Sequence, residues 1–182
     1  MSRQAVGALF AVFTAGTVMQ LVPHIGDAVS DPAPRTWLVA ICWLLKSAIV
    51  LAFAYFVVVR PPALRRARDP IAFVACAAAI LGALALRPPE ASGSTALLLA
   101  GDAIAALSAG WVLTSVLALG RCFGFLPEAR GLVTRGPYRL VRHPVYLGEL
   151  GMAGGLLMAS PSAWNAVAVA VLAAGQAMRM RL

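Results

Sequence analysis

The chain alternates long apolar stretches with short polar interruptions, and this pattern predicts helices that cross a membrane. About 20 consecutive apolar residues are needed to span a bilayer as a helix. The first candidate runs from about Ala5 to Val22, with Pro23, Gly26 and the Asp31-Pro32-Ala33-Pro34 stretch expected to break it. The second runs from about Thr36 to Val59, the third, short and alanine-rich, from about Ile71 to Leu86, and the fourth from about Thr95 to Leu119. A polar segment then leads to His143-Pro144. Beyond it, stretches of about Val145–Ala159 and Trp164–Met178 flank the breaker Ser160-Pro161-Ser162 and read as a tight helical hairpin. Gly151 and Gly155 form a small-xxx-small pair that would let the two hairpin backbones approach. No strand is evident. The expectation is an all-α, polytopic integral membrane bundle of five to six helices. It forms a single domain over 1–182, with N-terminal transmembrane helices over 1–119 and a functional loop plus hairpin over 120–182.

Composition agrees: 61% of the 182 residues are hydrophobic and 12% are charged, against about 25% charged in ordinary soluble chains. The net charge of +8 sits in loops, not on a solvated face with a reading helix, so nucleic acid is not an expected partner. Arg60, Arg65, Arg66 and Arg68 fill one loop; Arg121, Arg130, Arg135, Arg139 and Arg142 fill another two crossings later. The loops between hold one arginine each, with Asp27, Asp31 and Glu90. The positive-inside rule puts both basic loops, and both termini, in the cytoplasm. The first apolar run lacks a small-residue cleavage site and reads as a retained helix. Three cysteines without CxxC or Cys/His spacing predict neither a metal site nor a disulfide framework. Lys46 and Asp102 fall inside apolar runs, where charges are usually paired or functional, and an ion pair between them is expected.

The stretch Arg135-Gly-Pro-Tyr-Arg-Leu-Val-Arg-His-Pro-Val-Tyr-Leu-Gly-Glu-Leu150 concentrates polar chemistry at a helix entrance. Pro137 suits the opening of a short helical turn, and Pro144 the first residue of the next helix, which leaves His143 at the cap. Free N–H groups there favour an anion. With Arg142 beside them and Tyr138 and Tyr146 as flat surfaces, the construction suits a ligand carrying an aromatic ring and a carboxylate or phosphate. Arginine and tyrosine at a bilayer boundary also serve simply as headgroup anchors.

The order of residues 131–148, Gly-Leu-Val-Thr-Arg-Gly-Pro-Tyr-Arg-Leu-Val-Arg-His-Pro-Val-Tyr-Leu-Gly, resembles the signature of the isoprenylcysteine carboxyl methyltransferases and their relatives, the membrane phospholipid methyltransferases. The lead-in at 120–130 is similar to bacterial members, and the resemblance covers roughly 115–182. It implies a methyltransferase of the bacterial inner membrane using S-adenosylmethionine on the cytosolic side and a lipophilic acceptor, a prenylcysteine-like carboxylate or a lipid amine. By position, Arg130, Gly131, Leu132 and Val133 would line the cofactor and Tyr138 would pack near it. Arg142, His143, Pro144, Val145 and Tyr146 would hold its amino-acid end and adenosine, and Leu147 and Gly148 would complete the wall. Arg179 falls where the family's substrate-binding arginine stands and would orient an acceptor carboxylate; His143 would serve an amine. The family motif continues with a glutamate pair four residues on. That pair does not occur in residues 179–182; without it the resemblance implies the loss of an acidic contact and a lid, for which Glu128 or Glu149 would substitute only in part. With no GxGxxG after a strand, the soluble doubly wound methyltransferase pocket is excluded. Two alternatives share the pattern: a nicotinamide-dependent membrane reductase of sterol-reductase-like architecture, and a non-catalytic membrane scaffold.

Overall fold

A computed structural model of the chain describes residues 3–62, 65–66, 70–88, 94–124, 128–129 and 131–181, with side chains from residue 12 onward outside the two short pairing segments. Among the described residues six helices make a membrane bundle: α1 (Arg3–Ser30), α2 (Pro34–Val59), α3 (Pro70–Leu84), α4 (Thr95–Leu119), α5 (Pro144–Ala159) and α6 (Ala163–Arg181). Two of them, α2 and α4 with its continuation to Cys122, are long and apolar enough to cross a bilayer. At 1.5 Å per residue α2 extends about 39 Å, whereas α3 covers only about 22 Å.

The helix ends follow local chemistry. Pro34 opens α2 and Pro144 opens α5, each at a first-turn position where the missing N–H is not required. Contrary to expectation, α1 does not stop at Val22. It runs through Pro23 to Ser30, because proline's fixed φ is helical and its interior position removes one hydrogen bond without barring the turn. The break comes at Asp31-Pro32, with Ala33 extended at φ −81°, ψ 153°, as the residue before a proline prefers. A two-residue antiparallel pairing, β1 (Arg65–Arg66) with β2 (Glu128–Ala129), joins the two basic loops in the register Arg65↔Ala129. It is too short to leave a period in the sequence.

Helix partners are set by glycine. In lipid, close backbone approach replaces the hydrophobic effect as the driving force for association. A Cβ on Gly155 would sit 2.6 Å from the Gly101 carbonyl oxygen, and one on Gly101 2.5 Å from that of Gly155. Gly151 and Gly148 likewise face Ser108 and Val112. The small-residue stripe of α5 therefore packs on α4, not on α6 as the hairpin reading expected. Gly175 of α6 meets Ala75 and Ala79 of α3, and Gly82 of α3 meets Ala168 and Leu172 of α6. The two helices joined by Ser160-Pro161-Ser162 thus diverge to different partners. One sub-bundle (α1, α2, α4, α5) has a core of Ile49, Ala109, Val112 and Val116. The α3/α6 pair joins it through the Ala79, Ala153 and Leu172 cluster. At the far end of the pair, buried Asn165 bonds the Arg87 N–H at 3.0 Å and donates to the Arg87 and Ser160 carbonyls.

The expected Lys46–Asp102 pair is replaced by Arg35–Asp102, Nε to Oδ2 at 3.3 Å. The Cys42 thiol meets the Asp102 carbonyl at 3.6 Å, so Lys46, one turn further along α2, lies past that level. Its ammonium sits over the Trp43 ring, 4.5 Å from the centroid.

Two outcomes test this packing by thermal melting in detergent. Gly155→Ala should destabilise by about 1–3 kcal/mol through backbone overlap, whereas Gly154→Ala, which has open space around it, should be neutral or up to about 1 kcal/mol stabilising. Asp102→Ala should destabilise by about 1 kcal/mol, read as a lower melting temperature, because it leaves the partly exposed Arg35 without its counter-charge, whereas Lys46→Met should not.

Candidate functional site

The segment between α4 and α5 is fastened to the end of α4. Gly120 ends that helix with φ +55°, a conformation that favours glycine. A short 3-10 turn, Gly120–Cys122, follows. Arg121 Nε donates to the Val59 carbonyl at 3.2 Å and ties this corner to the end of α2. Phe123 turns inward and stacks on Phe53 of α2, centroids 4.6 Å apart. Further on, Arg135 Nε donates to the Ala118 carbonyl at 3.1 Å. Gly136, at φ +58°, passes close to the Ala118 side chain. Pro137 lies in the second 3-10 turn, Gly136–Arg139, and its carbonyl accepts from the Leu140 and Val141 N–H groups. Trp111 Nε1 donates to the Pro144 carbonyl at 2.9 Å, and Pro144 itself is buried. The start of α5 is therefore held in place from below by α4.

That start forms one wall of a cavity of about 290 Å³, close to the lower edge of the roughly 300–1,000 Å³ range of small-molecule sites. The cavity lies in the seam between the two sub-bundles. Phe53, Leu119, Phe123, Val145, Tyr146 and Glu149 line one side; Ile80, Ala83, Leu84, Leu172, Gln176 and Arg179 line the other. Tyr138, Arg142 and His143 stand at its rim.

His143, at the N-cap of α5, stacks on Tyr146 with the rings 3° from parallel and centroids 5.3 Å apart. The Arg179 guanidinium lies over the same Tyr146 ring, 4.5 Å from its centroid. Arg179 Nη1 also donates to Gln176 Oε1 at 3.2 Å, and Gln176 Nε2 donates to Glu149 Oε2. Gln176 is 1% exposed, and its two bonds fix its amide orientation: oxygen toward the cation, nitrogen toward the anion. An unbroken run of contacts thus leads from His143 through Tyr146, Arg179 and Gln176 to Glu149, crossing the seam. Partial burial and the nearby Arg142 and Arg179 charges lower the His143 pKa below its ordinary 6.5, so the ring is neutral at pH 7. Burial, with Tyr146 close by, pushes the Tyr138 hydroxyl up to about 12.

Of the residues singled out in the sequence, Tyr138, Arg142, His143, Val145, Tyr146 and Arg179 come together around this cavity. Pro144 and Gly148 are buried against α4. Gly131, Leu132, Val133 and Leu147 do not form its wall; Leu132 is 91% exposed. Arg130 lies outside the described residues, as do the side-chain positions of Glu128. Sequence reasoning missed Gln176, although a lone amide three residues before Arg179 in an otherwise apolar run was a usable signal. It also missed Phe53 and Phe123, which look like ordinary apolar positions until the fold stacks them. Among the described residues no cluster of three metal-ligating side chains occurs.

The family model for phospholipid methyltransferase matches residues 86–181, more than half of the chain and all of the cavity wall contributed by α4, α5, α6 and the segment between them. Neither a curated protein nor a solved structure matches the chain. On the strength of that span, the protein belongs to the phospholipid methyltransferase family and is, at this level of description, a membrane methyltransferase.

Proposed function

We propose that the seam cavity binds S-adenosylmethionine at the cytosolic membrane face and that the methyl group passes to a lipophilic acceptor arriving from the bilayer. One observation carries the reading: a stacked imidazole–phenol surface, two guanidinium groups and a carboxylate converge on a cavity whose remaining lining, Tyr138 and Gln176 apart, is apolar. This donor set fits S-adenosylmethionine group by group. The His143–Tyr146 surface suits the adenine ring, Arg142 and the open N–H groups at the start of α5 suit the carboxylate, and Glu149 suits positive charge. When bound, the donor supplies an electrophilic methyl group on a sulfonium.

The chain's own residues align the partners, which is the dominant contribution when two reactants come from different phases. Ile80, Ala83 and Leu84 of α3 offer an apolar flank for the acceptor's tail. Arg179 spends one of its five N–H donors on Gln176 and keeps others for an acceptor carboxylate, which is ionised at pH 7 and requires no base. The family's name points to a phospholipid acceptor. An amine headgroup must lose a proton, and His143, neutral at pH 7 and at the rim, is positioned to take it. The pairing of β1 with β2 supports the two basic loops sharing one end, and the arginine bias of those loops supports that end facing the cytoplasm of a bacterial inner membrane.

The test is calorimetric titration of the purified protein in nanodiscs with S-adenosylmethionine and with NADPH, followed by labelled methyl transfer into a total lipid extract. Binding of the first alone, and label in a lipid product, is expected; binding of NADPH instead would establish the reductase alternative. Tyr146→Ala should weaken donor binding about tenfold or more by removing the surface on which His143 and Arg179 both rest. Below pH 7, donor affinity should fall as pH drops through the His143 midpoint, below 6.5, because the imidazolium adds positive charge beside two arginines and disfavours a cationic ligand. His143→Asn should abolish that acid limb. The two histidines of the chain make the midpoint directly readable by NMR.

A further inference from the structure

Glu149 has one oxygen committed and one open. Oε2 accepts from Gln176. Oε1 has no hydrogen-bond partner among the described residues and is not among the sealed buried atoms, and Glu149 lines the cavity. Arg179 does not neutralise it directly: among the described ion pairs within 4 Å Glu149 is absent, because the Gln176 amide stands between carboxylate and guanidinium. The Arg179 charge thus reaches the carboxylate only across the amide, and a largely buried carboxylate without a direct counter-ion gains from a cation that does reach it. A metal ion needs several ligands, and among the described residues Glu149 belongs to no such cluster. The neighbouring wall is instead aromatic, with Tyr146, Tyr138 and Phe123, which complements an organic cation.

We infer that Glu149, oriented by Gln176, is an ammonium-receiving subsite on the floor of the seam cavity. The inference rests on the methyltransferase reading above and adds the polarity of what the floor accepts. The same chemistry has two sources, the α-ammonium of the methyl donor and the amine headgroup of a lipid acceptor. Gln176 acts as a positioning residue: its amide holds the carboxylate aimed at the cavity and keeps Arg179 from collapsing onto it.

The experiment uses the full chain in phosphatidylcholine nanodiscs and two ligand pairs. One pair is S-adenosylmethionine and its analogue lacking the α-amino group, measured by calorimetry. The other is phosphatidylethanolamine and its N-acetylated form, measured as lipid retention by native mass spectrometry. The wild-type protein should prefer the ammonium-bearing member of one pair by roughly 10–100-fold, the range for a charge-assisted hydrogen bond. Glu149→Gln should erase that preference while binding the ammonium-free member as tightly as wild type, which also shows that the variant is folded. The pair that responds identifies the source. No preference in either pair, or a preference surviving in Glu149→Gln, would overturn the inference. If Glu149→Gln does not fold, Glu149→Asp gives the same readout: loss confined to the ammonium-bearing ligand supports the subsite, and equal loss for both members contradicts it. A wild-type protein that binds neither donor form refutes the methyl-donor reading separately, and the lipid pair then decides the role of Glu149.

Discussion

At the cavity, one buried amide, Gln176, connects the two halves of this bundle. Gln176 accepts from Arg179 and donates to Glu149 across the seam, and Arg179 in turn rests on the Tyr146 ring. Hydrogen bonds of this kind are directional where helix packing in lipid is not. Apolar surfaces slide past one another at little cost in hydrocarbon, but a buried amide that loses either partner pays its desolvation in full. The chain from Glu149 to Arg179 therefore sets the register of α6 against α5 and, with it, the shape of the space above them.

Why a space exists there follows from where glycine is used. The α4–α5 crossing is drawn tight by Gly101, Gly148, Gly151 and Gly155, and the α3–α6 crossing by Gly82 and Gly175. Between the two pairs, contact rests on Ala153 and Leu172, with Leu150 and Val169 packed against them. Close packing inside each pair and side-chain packing between pairs leave a gap that widens toward the start of α5. The cavity is thus a consequence of unequal helix spacing, and its polar groups are those that happen to flank the widening: the N-cap of α5 and the last turns of α6. The cavity therefore has an apolar flank on α3, which suits a hydrocarbon tail, and polar groups at its α5 end, which suit a charged ligand.

Much of this was legible in the residues. Pro144 at the first turn of α5 and His143 at its cap follow from proline's chemistry, and the cluster of Tyr138, Arg142, His143 and Tyr146 follows from that helix start. The choice of helix partners was not legible. These helices are apolar on nearly every face, so periodicity does not reveal which side meets which neighbour: Gly151 and Gly155 suggest approach to α6, whereas their complements are Ser108 and Gly101 on α4. Pro23 was misread because a proline breaks a helix reliably only where water or another conformation competes for the chain; Asp31-Pro32-Ala33-Pro34 supplies that, and Pro23 alone does not. The Lys46–Asp102 pairing failed on depth: Arg35, at the helix entrance with a longer reach, meets Asp102 first. Glu149 and Gln176 are single polar residues in apolar runs, and only the fold discloses that they face each other.

The most direct measurement of the central claim is an experimental structure of the chain in a lipid nanodisc with S-adenosylmethionine bound. The expected result is the donor in the seam, with its adenosine beside His143 and Tyr146 and its amino-acid end within reach of Arg142, and with the Glu149–Gln176–Arg179 connection intact. A donor bound elsewhere, or α5 and α6 packed so closely that His143 and Tyr146 border no cavity, would contradict it.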